Sequence, residues 1–555
     1  MVMKVSHAIA SKRHSYHNIS EGRPRMTRIF QKIYHISDSF VRVLSLAFTA
    51  LLFLSAFLST CYAENMTTQE VLTGWDNPLI NLLGTALLLL ALLFVSDRIC
   101  KKSGRRLPIL LLLVLIWCVV CGFILVLFSK TVPAADAMSV YAAAESLANG
   151  DTSVIHPVDS YLSYYPQQIG LVAFYEPLIR LWNLVPTDHP AYHFIKCVYI
   201  LLVCVIILCQ YQTVHLLWQD ERTDSIYLLL AGTNLPLILY SSFVYGEIPS
   251  FAAFSAGCLL LFRLLREDAS RKRKLSYALG SLSLLTLSVL LRKNSLILMI
   301  AVLIVVLLEA LSSGRKGLLL LALLYTLSSV TILPITQAYY EHRADNKLSS
   351  GVTALSYFAM GMQESSRGNG WYNGFNFETY QASGMDSVLA NDISRTAIEE
   401  RLTYFGDHPG YAASFYLHKY LSQWVDGTYA SRQATLATFG GRVEFFQRVY
   451  EGPYSKYFIG YCNLYQNVLY LGAFLFCLSS FLDRRKLPKD PDTLPRLYVM
   501  LGLIGVFGGF LFHMIWEANG RYIFIYGLLL LPYAARGASS RRLYEKRKEM
   551  NHEGQ

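Results

Sequence analysis

The sequence predicts an all-α protein of about twelve membrane-spanning helices, and three observations predict it. The first is composition. The 555 residues are 54% hydrophobic and 16% charged, where a soluble chain carries about a quarter charged residues. The second is where the deficit falls. Apolar runs recur near 41–63, 79–96, 107–128, 192–211, 224–242, 246–265, 275–291, 293–312, 316–334, 461–481, 495–515 and 522–537. Each is about long enough to cross a hydrocarbon core of roughly 30 Å. The third is the placement of lysine and arginine between those runs.

Basic clusters precede the first run (Arg23, Arg25, Arg28, Lys32). They recur at 98–106, 263–274, Arg315-Lys316, 484–489 and 541–548. Twelve spans put every cluster on one face, the cytoplasmic one, together with both termini, in an integral plasma (inner) membrane. The net charge of +11 is then an orientation signal, and its patterning speaks against nucleic acid. The polar, basic stretch before the first run is too long for the n-region of a signal peptide, so that run is expected to be retained. The ten cysteines form no framework. Most lie inside apolar runs, Cys118-x-x-Cys121 among them, where cysteine behaves as a small hydrophobe.

The segment 169–183 tests the count. As a span it would send the basic run 271–274 outside. It also carries Glu176 and Arg180 four residues apart, with Pro177 between them. It is therefore predicted to be an amphipathic helix at the interface or re-entering. The chain then divides into a basic cytoplasmic segment (1–40), a membrane bundle (41–334) containing an external loop (129–191), an extracytoplasmic segment (335–460), the last spans (461–537) and a basic cytoplasmic tail (538–555). Helical patterns are expected at 390–409 and 411–424 in the outer segment, where Asp407-His408-Pro409 separates them. No strand alternation is strong enough to predict a sheet.

The outer loop opens TVPAADAMSVYAAAESLANGD, residues 131–151. Pro133 and the alanine-rich run predict a helix beginning here, with Asp136 in its first turn and stabilised by the helix dipole. One reading of Asp136 is a solvated acid that ends a span. The other is a fixed general base that deprotonates a hydroxyl acceptor. Glu145, Asp151 and Asp159 are weaker candidates for an acidic wall, and Asp136 with Asp151 for a metal site. Tyr161, Tyr164, Tyr165, Pro166, Gln167 and Gln168 read either as interfacial aromatics or as a polar-aromatic surface suited to sugars.

Arg292-Lys293-Asn294 places two cations at an outer turn, against the positive-inside trend. They are either a snorkelling pair or a clamp for a lipid phosphate, with bidentate contacts from arginine and a point charge from lysine. Arg521 sits similarly before the last span, with Glu517 four residues earlier. Glu247 and the Gly-Asn-aromatic run holding Trp371 lie on the same predicted face. An acid for an acceptor and cations for an anionic donor thus converge there.

These residues resemble the GT-C superfamily of integral-membrane glycosyltransferases, close in style to protein O-mannosyltransferases and lipid A aminoarabinose transferases. The resemblance runs diffusely over 107–537. It is carried by P-A-A-D-A-M-S-V-Y-A-A-A-E-S-L-A-N-G-D with Asp136 at the acid position, Y-Y-P-Q-Q-I-G (164–170), R-K-N-S-L-I (292–297), D-H-P-G-Y and K-Y-L-S-Q-W (407–424), and E-A-N-G-R-Y (517–522). Two spans, rather than one, precede the span leading to the acid loop, and no second acid adjoins Asp136. The resemblance implies an inverting transfer of a monosaccharide from a polyprenyl-phosphate carrier to a hydroxyl on an envelope glycan, lipid or protein. Asp136 would be the base. Arg292, Lys293 and Arg521 would hold phosphate, and Tyr164, Tyr165, Gln168, Glu247, Asn294, Trp371 and Glu517 would contact substrate. A divalent cation, Mg or Mn, is compatible with it. The alternatives are a transporter or flippase of lipid-linked saccharides, a polymerase or ligase of them, and a non-catalytic envelope scaffold.

Overall fold

The computed structural model describes residues 25–63, 69–100, 106–158, 160–483 and 497–540. The weak candidate Asp159 and the basic clusters at 484–489 and 541–548 lie outside the described residues. Helix α1 (Arg25–Leu58) runs into a two-stranded antiparallel hairpin, β1 (Ser59–Ala63) and β2 (Val71–Trp75), with Cys61 opposite Thr73. Two apolar helices follow, α2 (Pro78–Cys100) and α3 (Arg106–Phe128). The next stretch folds into α4 (Asp136–Ala148), a single turn α5 (Tyr161–Tyr164) and α6 (Ile169–Trp182). The bundle resumes with α7 (Tyr192–Trp218), α8 (Glu221–Gly232), α9 (Leu235–Tyr240), α10 (Glu247–Arg266), α11 (Arg271–Leu291), α12 (Ser295–Ser313) and α13 (Lys316–Ala344). Then come α14 (Ala354–Gly361), α15 (Phe375–Ala382), α16 (Ser387–Asp407), α17 (Pro409–Trp424), α18 (Ser431–Ala434) and α19 (Glu444–Tyr450). Helices α20 (Ser455–Asp483), α21 (Leu501–Ile515) and α22 (Gly520–Ser539) complete the described chain.

Among the described residues, nine helices are long and apolar enough to cross a membrane: α1, α2, α3, α7, α10, α11, α12, α13 and α20. The other three expected spans take different forms. The stretch 224–242 is two helices, because Asn234 accepts a hydrogen bond from the Leu237 backbone and Pro236 sits in the first turn of α9. A side-chain cap followed by proline starts a new helix instead of continuing the old one. Helix α21 has 15 residues and α22 has 20. The hairpin was not expected; its five-residue strands are too short to show a clear alternation.

Helix α6 is 14 residues long, about 21 Å at 1.5 Å per residue, so it falls short of the hydrocarbon core. Its buried carboxylate fixes it in place. Glu176 accepts hydrogen bonds from Arg180 (2.7 Å), from Arg343 at the end of α13 (2.6 Å) and from Tyr340 (2.6 Å). Both arginines also donate to the carbonyl of Leu147 at the end of α4 (3.0 and 2.7 Å). One ion cluster therefore ties α4, α6 and α13 together, and supplies donors to the Leu147 carbonyl near the end of α4 on the way.

The polarity of the bundle follows from its helix ends. α3, α11 and α21 finish, and α10, α12 and α22 begin, at one end. Arg98, Arg106, Arg263, Arg266, Arg315 and Lys316 stand at the opposite helix ends.

Candidate functional site

A cavity of about 510 Å³ opens among these shared helix ends. Asp136, Arg292, Lys293, Asn294, Glu517 and Arg521 are on its lining, as are Tyr165, Gln168 and Trp371. Asp136 and Arg521, 385 positions apart in sequence, are thus brought to one space; no local pattern specifies that.

Asp136 is set by the backbone on both sides of it. Thr131 pairs with Thr438 as an isolated bridge, Val132 N–H donates to the Ala437 carbonyl (2.9 Å), and Phe439 N–H donates to that of Lys130 (3.2 Å). The buried ammonium of Lys196 donates to the carbonyl of Thr131. Helix α4 then buries Ala137, Val140, Tyr141, Ala144 and Leu147, a single stripe at helical spacing. Between strap and helix, Ala135 takes φ 48° and ψ −129°, a left-handed conformation that disfavours a side chain. The turn leaves Asp136 exposed in the cavity.

The cations are organised around Glu247. Its carboxylate is buried (1% exposed) and stays off the cavity lining. Arg292 Nη2 approaches Glu247 Oε1 at 2.8 Å and Arg521 Nε at 3.4 Å. Both guanidinium groups also lie over the rings of Tyr245 (5.0 and 5.2 Å) and Tyr522 (5.7 and 5.5 Å), within cation–π range. Two glycines let the Arg292 turn sit this close: a Cβ on Gly170 would stand 2.1 Å from the Leu290 carbonyl, and one on Gly246 2.9 Å from that of Leu291. Tyr245 is itself held, its hydroxyl accepting from Gln168 Nε2 (2.5 Å) and its carbonyl from the Tyr199 hydroxyl (2.5 Å). Burial, with Asp136 nearby, pushes the Tyr245 phenol up to about 12.

The remaining wall comes from the outer segment and from the turn before α22. Ala518 N–H donates to the Gly370 carbonyl (2.7 Å), which pairs Trp371 with Ala518. Trp371 Nε1 donates to Ser422 (2.9 Å). The buried Lys419 of α17 donates to the Gly361 carbonyl and to that of Trp516 (2.8 Å). Removing it leaves two inward-facing carbonyls without their donor, at about 1–3 kcal/mol for each that stays buried. Lys419→Met is expected to lower the thermal unfolding midpoint and to loosen the 361–372 wall. An unchanged midpoint with unchanged proteolysis of that wall would contradict this.

Glu517, on the same turn, is 7% exposed and accepts from the Tyr522 hydroxyl (3.2 Å). Burial raises its carboxyl from 4.5 to about 7; Asp136 adds to the rise, and Arg521 opposes it. Between those values the folded chain keeps a proton that the unfolded chain releases. Its contribution to stability therefore falls as pH rises from about 4.5 to about 7 and is level above that. Glu517→Gln removes the titration. Melting curves between pH 5 and pH 8 should converge toward the variant's favour as pH rises, and parallel wild-type and variant profiles would refute it.

Four sequence candidates fall off the cavity lining: Glu247, behind the two arginines, Glu145, which accepts from the Tyr141 hydroxyl (2.7 Å), Tyr164 and Asp151. Tyr164 is buried against Phe377 (ring centroids 4.7 Å) and Tyr380, off the cavity lining. Asp151 is exposed beyond the end of α4, where its carboxylate accepts from the Ser153 backbone (2.9 Å). Among the described residues, no three of His, Cys, Asp and Glu cluster to hold a metal ion. Gln69, Tyr357, Arg367, Gln433 and Trp516 also line the cavity and were not singled out from sequence. No span-end charge marks them, apart from the lone cation Arg367 beside the aromatic run.

The fold is similar to solved structures of the oligosaccharyltransferase from Archaeoglobus fulgidus. The apo crystal structure is 14% identical with a TM-score of 0.43, over 77% of this chain and 50% of that one. The complex with Zn and sulfate gives 14% and 0.42, over 78% and 49%. The archaeal enzyme AglB from the same organism, with an inhibitory peptide and a dolichol-phosphate, gives 15% and 0.42, over 80% and 52%. The chain spans about half the length of each. No protein-family model matches the chain, and no curated protein does.

Proposed function

We propose that the chain is a membrane glycosyltransferase that moves a monosaccharide from a polyprenyl-phosphate carrier to a hydroxyl acceptor, with inversion. The observation that carries this reading is the cavity itself. It joins a carboxylate fixed at the start of α4 to three cations, Arg292, Lys293 and Arg521, delivered by two other turns of the bundle.

In this reading the carrier phosphate sits against the two guanidinium groups, with Lys293 adding an exposed charge. An Asp136 oxygen accepts the proton of the acceptor hydroxyl as its oxygen forms a bond to the anomeric carbon. The bond from that carbon to the phosphate oxygen breaks on the opposite face, and its electron pair leaves with the carrier phosphate. The cations stabilise the charge that grows there. One displacement inverts the anomeric centre. Mg²⁺ is commonly held by one or two carboxylates together with substrate phosphates, and Asp136, exposed on the lining, is the carboxylate that would hold Mg or Mn. The ion would neutralise phosphate charge. The described basic residues at the far helix ends support placing the cavity on the extracytoplasmic side.

The test is direct. Full-length protein in vesicles receives a radiolabelled polyprenyl-phosphate monosaccharide and an envelope extract. Label moving into the extract with equimolar release of carrier phosphate is the expected result. Label crossing the vesicle while still attached to its carrier would identify a flippase instead.

A further inference from the structure

We infer that the acceptor is a carbohydrate, held on an aromatic and amide platform beside Asp136; this rests on the transferase reading above. The cavity divides into two regions. Tyr245 and Tyr522 lie under the two guanidinium groups. Tyr161, Tyr165, Tyr357 and Tyr372 line the rest of the cavity; Asp136 helps raise their phenols, as it does that of Tyr245, and Tyr372 lies under the guanidinium of Arg367 (5.8 Å). The donor phosphate belongs with the first group and the attacking hydroxyl with the second.

The second group is built for an amphipathic, hydroxyl-bearing ligand. Tyr161 and Tyr165 stand 5.0 Å apart, and Tyr357 stacks on Trp516 at 5.0 Å and 12°. Across the whole lining there are nine aromatic and seven amide side chains, while Leu291 and Val352 are the only aliphatic ones beyond alanine. The lining around these rings offers no aliphatic wall for an acyl chain, so a lipid of either substrate enters it by its polar head alone. A pyranose presents apolar C–H faces to rings and hydroxyl edges to amides, each of which both donates and accepts. Gln433 supplies a buried Oε1 that has no partner among the described residues.

Binding to full-length protein, without donor, separates the cases. The probes are a panel of hexose and N-acetylhexosamine oligosaccharides, a serine- and threonine-rich peptide pool, and diacylglycerol in vesicles, followed by tryptophan fluorescence. Oligosaccharide binding that weakens about tenfold in Tyr372→Ala, an aromatic contact worth roughly 1.4 kcal/mol, is expected. Tyr372→Phe should restore most of it, while a misfolded variant would lose peptide, lipid and sugar alike. Tyr372 is 36% exposed, so its truncation leaves the packing intact. Binding of the peptide pool or the lipid in place of sugar overturns the proposal, as does sugar binding unaffected by both variants. Carrier-phosphate release is read separately. Its absence alongside Tyr372-dependent sugar binding refutes the transferase reading and keeps the carbohydrate site.

Discussion

On the proposed mechanism, Asp136→Asn is expected to abolish transfer while the protein still inserts and folds. Asparagine keeps the size and the hydrogen-bonding oxygen of aspartate and cannot take up the acceptor proton, so a loss of about 10²- to 10⁴-fold in turnover is expected. Little structural change should accompany it. The strap to 437–439 and the buried stripe of α4 position the residue through backbone and alanine contacts, and the side chain is exposed. Losing a charge in the first turn of a helix costs about 0.3–1 kcal/mol, too little to unfold a protein of this size. The measurement is transfer of labelled sugar beside thermal unfolding of wild type and variant. Activity within threefold of wild type would remove Asp136 from the mechanism. A lower donor affinity with unchanged turnover would move it to substrate binding.

The second large effect is expected at Glu247, and it is one of stability. Glu247 is shared by Arg292 and Arg521, and all three are at least mostly buried. Removing one partner from a buried pair leaves uncompensated charge and costs about 3–5 kcal/mol. Glu247→Ala leaves two neighbouring guanidinium groups facing each other, so its yield in detergent and its unfolding midpoint should fall well below those of Asp136→Asn. Arg292→Lys behaves differently. The cation stays, the planar fork is lost, and the donor KM should rise about tenfold or more with only a small change in midpoint. A Glu247→Ala protein as stable as wild type would show that the carboxylate is not what holds the two arginines side by side.

These two predictions divide what was legible beforehand. Asp136 and Arg292 were visible as charges at the ends of apolar runs, where an ionised group costs free energy unless something keeps it there. Glu247 was visible for the same reason, but its role was not. A carboxylate that touches substrate and one that stands behind two arginines look alike in a chain. Tyr164 and Tyr165 are adjacent and chemically equal, yet the single turn α5 sends one into the core and leaves the other on the cavity. Lys419 gave no warning: in sequence it is one more lysine on an amphipathic helix.

The sequence by itself determined the all-α class, the positions of most membrane-length helices and the helix that opens with Asp136. Those follow from local physics, namely the length of an apolar run against the thickness of a bilayer, and from proline, alanine and acid at a helix start. The break between α8 and α9 has local causes too, Asn234 and Pro236, although the run 224–242 was expected to be one span. Tertiary structure alone decided that the ends of α10, α11 and α22 meet, that Glu247 sits between two arginines and that residues of 367–372 and 430–437 share a cavity with Asp136. Those contacts join residues tens to hundreds of positions apart, and packing geometry, set by close approaches such as Gly170 on the Leu290 carbonyl, selects among many arrangements that the same helices allow.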